Sequence, residues 1–146
     1  MSSMFKYNIL TEEVKSDFAF EVFADSLSDL FRGAGIAMMQ AMIKTDNISS
    51  EKSWEFELRS DSLEFLLYDF LDEIIYFKDV EEAVFKDFDI KMDEINKCYK
   101  LSCKANGVTI DYDKYEMLTD VKAVTMHKFV LEKRENEWYA HVIVDL

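Results

Sequence analysis

Twice in this chain a run of alternating apolar residues gives way, across a short capping signal, to a stripe with helical spacing. Phe18, Phe20 and Val22 alternate with Ala19, Glu21 and Phe23; Ser26 then opens the series Leu27, Leu30, Phe31, Ala34, Ala37, Met38, Ala41 and Met42. Trp54, Phe56 and Leu58 alternate with Glu55, Glu57 and Arg59; Ser60-Asp61 then opens Leu63, Leu66, Leu67, Phe70, Leu71, Ile74 and Ile75. A period of two marks a half-buried strand, and three- and four-residue spacing marks one face of a helix. Ser26 with Asp29, and Asp61 with Glu64, have the spacing of a capping box. The stripes predict helices ending near Ile43 and Phe77. Gly33 and Gly35 each weaken the first helix by up to ~1 kcal/mol relative to alanine, so close packing against another element is expected there. Asp69, Asp72 and Glu73 lie off the second stripe and are expected to form a solvated face.

The remainder reads as strands. Tyr99, Leu101, Cys103 and Ala105 alternate with Lys100, Ser102 and Lys104, and Asn106-Gly107 follows as the strongest short hairpin signal in the chain. Val121 to Glu132 and Trp138 to Asp145 read as two further strands, joined by the polar turn Lys133-Arg134-Glu135-Asn136-Glu137 into a hairpin. Phe5–Leu10 and Val84–Ile90 are weaker strand segments. Strands outnumber helices and no linker divides them. The expected fold is a single α+β domain over residues 1–146, with two helices packed on a largely antiparallel or mixed sheet.

Composition narrows the partners. Seventeen Lys and Arg stand against 30 Asp and Glu, a formal net charge of −13 on 146 residues, yet 49% of the chain is hydrophobic and 14% aromatic. That much apolar content excludes an acidic disordered chain. The negative charge argues against direct binding to nucleic acid or to an anionic membrane, and favours a basic protein partner or bound cations. The N-terminal stretch has no long apolar run of a secretory signal, and no segment reaches the roughly 18–20 apolar residues of a membrane span, so a cytoplasmic setting is expected. Cys98 and Cys103 fall on opposite faces of a strand, which disfavours a mutual disulfide, and their spacing is not that of a zinc or redox pair.

Catalytic motifs are missing. Three glycines cannot build a phosphate loop, and no GxSxG, HExxH or EF-hand spacing occurs. His127 and His141 are the only histidines. His141 lies four residues before Asp145 on one strand face, about 13 Å away, too far to share an ion. The final strand is too apolar for a fraying tail and is expected to be docked. The terminal carboxylate of Leu146 then sits beside that of Asp145, a repulsion that a cation would relieve.

Thr119-Asp120-Val121-Lys122-Ala123-Val124-Thr125-Met126-His127, followed by Trp138 through Leu146, resembles the C-terminal signature of the archease family, typically VKAVTYH and then a tryptophan-led strand ending in Asp-Ile. Phe23–Phe31 is similar to that family's approach to its first helix, and Leu63–Phe77 to its second. The resemblance implies an accessory protein, not an enzyme: an activator of the RtcB-type tRNA-splicing RNA ligase that promotes ligase guanylylation and multiple turnover and broadens nucleotide use. It also implies a divalent cation, calcium with magnesium or manganese as alternatives. Carried onto this chain, the cation ligands are Asp17, Asp145 and a main-chain oxygen of Leu146, and the partner-facing residues are Lys122 and His127. The family's DHTAD stretch is replaced by Glu13-Val14-Lys15-Ser16-Asp17, so Lys15 is expected to supply part of the cation's charge and weaken its binding. A general chaperone without ligase specificity is the alternative. A metal-dependent hydrolase is disfavoured, because no positioned base or nucleophile accompanies the carboxylates.

Overall fold

A computed structural model describes residues 4–10 and 17–146. Strands β1 (Phe5–Leu10) and β2 (Asp17–Ala24) lead into helix α1 (Leu27–Met42); β3 (Lys52–Ser60) leads into α2 (Leu63–Glu81). There follow β4 (Ala83–Ile95), β5 (Cys98–Thr109), β6 (Ala123–Val124), β7 (Val130–Arg134) and β8 (Glu137–Asp145). The expected α+β class holds, with all pairings antiparallel, and the strands divide into two sheets. One has the order β1-β2-β8-β6, with β7 also paired to β8; the other has the order β3-β5-β4. No helix among the described residues is long and apolar enough to cross a membrane.

Helix α1 lies between the two sheets, and its glycines show why. Residues 33 and 35 point to opposite sides of a helix. A Cβ on Gly33 would stand 2.7 Å from the Phe5 ring and 2.8 Å from Val22, both of the larger sheet, whereas a Cβ on Gly35 would stand 2.7 Å from Phe88 of the smaller one. The two glycines let both sheets close on one helix. Ser26 caps α1, accepting the Asp29 N–H at 3.2 Å. Helix α2 is buried along one side only. The core between helices and sheets is rich in aromatic pairs, among them Phe31–Phe70 at 5.8 Å and Phe70–Phe88 at 5.6 Å. Each such fully buried side chain contributes roughly 2–3 kcal/mol. Arg32 of α1 grips Asp87 of β4 through both carboxylate oxygens, at 2.7 and 2.9 Å.

Four expectations need correction. Asn106-Gly107 is not a turn: both residues lie inside β5. Opposite them β4 carries a bulge between Phe85 and Asp87. A Cβ on Gly107 would come within 1.9 Å of the Val84 carbonyl oxygen, so this glycine is there for close backbone approach. The β4–β5 hairpin turns instead at Asn96 and Lys97, both with positive φ. The cap of α2 is Ser62, whose hydroxyl accepts the Phe65 N–H, one residue beyond the Asp61 expected, and the helix runs on to Glu81 before Glu82 turns left-handed. Finally, Val121–Glu132 is not one strand. Five residues, 125–129, bulge out against two of β8 between the pairs Val124↔Val144 and Val130↔His141. Both cysteines are free, Cys103 buried and Cys98 half-buried.

Candidate functional site

The register of β2 on β8 brings together residues from opposite ends of the chain. Asp17 opens β2 and stands directly across from Asp145, which closes β8. Residues paired in this way share a sheet face with Cβ atoms roughly 4.5–5.5 Å apart, and like charges so placed repel. On its other side Asp145 pairs with Ala123 of β6, and its carbonyl oxygen accepts the Lys122 N–H at 2.8 Å. Neither carboxylate takes part in an ion pair among the described residues, and the Lys122 side chain is exposed and likewise unpaired. Leu146 packs its side chain against the core, so the end of β8 is docked.

This end of the larger sheet therefore collects four of the five residues singled out in the sequence. The fifth, His127, is exposed in the bulge between β6 and β7. The bulge is fastened by His141, whose Nδ1 donates to the carbonyl oxygen of Lys128 at 2.7 Å. His141 is about 13 Å along β8 from Asp145, so His127 marks a second point on the surface. Lys15 and the Val14-Lys15-Ser16 stretch lie outside the described residues.

The donor set suits a hard divalent cation: carboxylate and main-chain oxygens without thiol or imidazole. Among the described residues no group of three or more His, Cys, Asp or Glu side chains is arranged to hold a metal ion by itself. A cation between Asp17 and Asp145 would thus draw further donors from main-chain oxygen and water.

One residue of the site escaped sequence reasoning. Lys78 continues the apolar stripe of α2, following Leu71, Ile74 and Ile75, and is only 8% exposed. Its ammonium lies 2.5 Å from Asp120 Oδ1 and 2.7 Å from Asp79 Oδ1, and donates to the Val121 carbonyl oxygen at 2.8 Å. The peptide it holds leads directly into Lys122. The segment before β6 has no regular structure to fix it, and this contact, with the Thr119 N–H bond to Ala41 O, supplies the anchorage. The available signal was the position itself: a lysine where the stripe calls for an apolar residue.

The comparisons with known proteins follow this architecture. Residues 7–146 match the Archease protein family. The archease of Pyrococcus abyssi is 33% identical over 135 residues, covering 92% of this chain and 95% of that protein. The archease of Methanosarcina acetivorans is 34% identical over 144 residues, covering 97% and 96%. The solution structure of Methanobacterium thermoautotrophicum protein 1598 superposes with a TM-score of 0.82 at 28% identity, covering 99% of this chain and all of that one. An archease from Thermotoga maritima, described as a possible chaperone, shares the fold with a TM-score of 0.61 at 17% identity, covering 94% and 96%. With the two-sheet fold, the profile match and relatives at this identity in agreement, the chain belongs to the archease family.

Proposed function

We propose that this chain is an accessory protein, not an enzyme, that activates an RtcB-type RNA ligase in the cytoplasm: it promotes ligase guanylylation and multiple turnover and broadens nucleotide use. The observation that carries the reading is the β2–β8 register, which opposes Asp17 and Asp145 and ties Lys122 to the same strand end. Asp17, Asp145 and a main-chain oxygen of Leu146 hold a divalent cation, calcium or alternatively magnesium or manganese. Positive charge there offsets the repulsion between the two carboxylates. Lys122 keeps its ammonium in solvent and so can steady phosphate charge in the ligase's nucleotide site. His127 meets the ligase at the second point. The acidic surface repels RNA and membranes and docks on the basic enzyme that handles RNA.

The test is guanylylation of the cognate ligase with GTP and with ATP, with and without this protein. Wild type is expected to restore multiple turnover, and Lys122→Ala to lose about tenfold or more of the stimulation, as removal of a phosphate-facing donor does. Undiminished stimulation by Lys122→Ala would remove that residue from the mechanism. A general chaperone is the second reading. It is favoured by exposed Val80, Ile95 and Tyr112 and by the description of the Thermotoga relative. It requires suppression of aggregation of an unrelated unfolded protein, which a ligase-specific activator performs poorly.

A further inference from the structure

We propose that the outward face of α2 is the docking surface for a protein partner that presents Lys and Arg side chains among apolar ones; in the reading above, which this inference deepens, that partner is the ligase. The face is defined by helical spacing. Phe65, Asp69, Asp72, Tyr76 and Val80 recur at intervals of three and four and so form one stripe, about 22 Å long. From its position off the apolar stripe this side was expected to be merely solvated. Instead Phe65, Tyr76 and Val80 are 55%, 51% and 57% exposed on it. Tyr76 and Val80 are neighbours on the stripe and Phe65 stands at its other end, with Asp69 and Asp72 between them, so the face mixes exposed apolar and acidic groups as an interaction surface does.

Charge decides the occupant. Helix α2 carries six carboxylates, at residues 64, 69, 72, 73, 79 and 81, and a single base, Lys78, which is turned inward to Asp120 and Val121. The outward face is therefore acidic without compensation on the helix itself. Partial burial, with the nearby Asp72 charge, raises the carboxyls of Asp69 and Glu73 above their ordinary range, so a cationic partner relieves crowding that already exists. RNA and an anionic membrane are repelled by such a face, and so is a second copy of it. Lys78, which holds the backbone next to Lys122, lies about 200° around α2 from Tyr76, so this face is a surface apart from the Lys122 end of the larger sheet. Docking and phosphate chemistry then belong to different residues.

The experiment separates the two. Association with the cognate ligase is measured by calorimetry, and guanylylation at limiting and saturating protein, for wild type, Tyr76→Lys, Asp72→Lys and Lys122→Ala. Tyr76→Lys and Asp72→Lys are expected to raise Kd at least tenfold and to regain full stimulation at saturation. Lys122→Ala is expected to bind as wild type and to fail at saturation. Both α2 variants binding within twofold of wild type would overturn the proposal. So would a concentration-dependent dimer of the wild type that Tyr76→Lys abolishes, because the face would then belong to a second copy. A second arm needs no ligase: an amidated helical peptide of Leu, Lys and Ala is titrated into the wild-type chain and followed by amide NMR. Shifts confined to α2 support the face even if the ligase neither binds nor responds, an outcome that defeats the ligase reading alone. Shifts elsewhere, or none, overturn it.

Discussion

The two sheets treat charge in opposite ways. On the outward side of the smaller sheet, Lys100 and Lys104 of the central strand β5 lie between Glu55 and Glu57 of β3 and Asp89 and Asp93 of β4. Lys104 stands across from both Glu55 and Asp89, and Lys100 reaches Glu57 at 3.3 Å. The hydrogen bond from Lys100 holds the Glu57 carboxyl below its ordinary range. The register also sets Arg59 across from Lys100, like against like, but Arg59 bonds Glu57 at 3.3 Å. With Arg59, Lys91, Lys100 and Lys104 matching Glu55, Glu57, Asp89 and Asp93, this surface neutralises itself. At the end of the larger sheet the same cross-strand geometry sets Asp17 against Asp145, like against like, with no cation among the described residues to separate them. Identical backbone geometry thus gives a finished surface in one place and an unsatisfied one in the other. The unsatisfied one is where a ligand gains most by binding.

The strongest way to break the contrast is to destroy the finished sheet. Gly107→Ala places a methyl group 1.9 Å from the Val84 carbonyl oxygen, against backbone that cannot rotate away as a side chain would. The expected loss is about 3 kcal/mol or more, read as a lower urea midpoint, and a variant of unchanged stability would remove the close-approach account.

Next comes the residue that fastens the unfinished end. Lys78→Met keeps the volume of the side chain but leaves the buried Val121 carbonyl oxygen without a partner, and the expected cost is ~1–3 kcal/mol in urea unfolding. Lys100→Met on the smaller sheet removes a surface pair, and the urea midpoint is expected to stay where it is. Equal effects of the two substitutions would show that burial does not distinguish the lysines.

These residues also mark how far the sequence could be read. Alternation placed Phe20, Val22, Leu101, Cys103 and Ala105 on the core side, because that pattern is imposed residue by residue by the pleat. It could not place Asn106-Gly107, whose conformation is set by a bulge twenty residues away in β4 and not by its own preference for turns. Nor could it show that the strands divide into two sheets: that depends on α1 being wanted by both, a fact encoded only in two glycines 200° apart around the helix. The acidic pair was legible as composition and resemblance, while its direct opposition follows from a register that no local signal fixes. Lys78 was hidden because a lone lysine among carboxylates reads as surface until its place in the stripe is counted.

A smaller effect sharpens the contrast at the carboxylates themselves. Asp17→Asn removes one of two opposed charges and is expected to raise stability by ~0.5 kcal/mol in chelator. Added calcium should raise the melting temperature of wild type and leave that of Asp17→Asn unchanged. An equal rise in both would place the cation elsewhere.

The smallest effect is one of pH, and it sets two further carboxylate environments against each other. For Asp87, burial pushes the carboxyl up, but the Arg32 guanidinium and the Phe88 N–H outweigh it and hold the group below its ordinary 3.8. A depressed acid contributes stability that is present above its unfolded value and is lost as pH falls through the folded one, so this contact weakens only below about pH 4. Asp69 and Glu73 have the opposite sign. Partial burial raises both above their ordinary 3.8 and 4.5, and the Asp72 charge adds to the rise. The folded chain then holds protons that the unfolded chain has released, so their penalty is greatest at neutral pH and fades as pH falls through the raised values. Denaturation midpoints followed from pH 7 downward should therefore show a rising contribution from α2 before the Arg32–Asp87 contact is lost. Asp72→Asn should flatten that rise without abolishing it, because burial is the larger cause in both residues. A slope unchanged in Asp72→Asn would mean that the three carboxyls do not feel one another, and a partner's cations would then find no crowding to relieve.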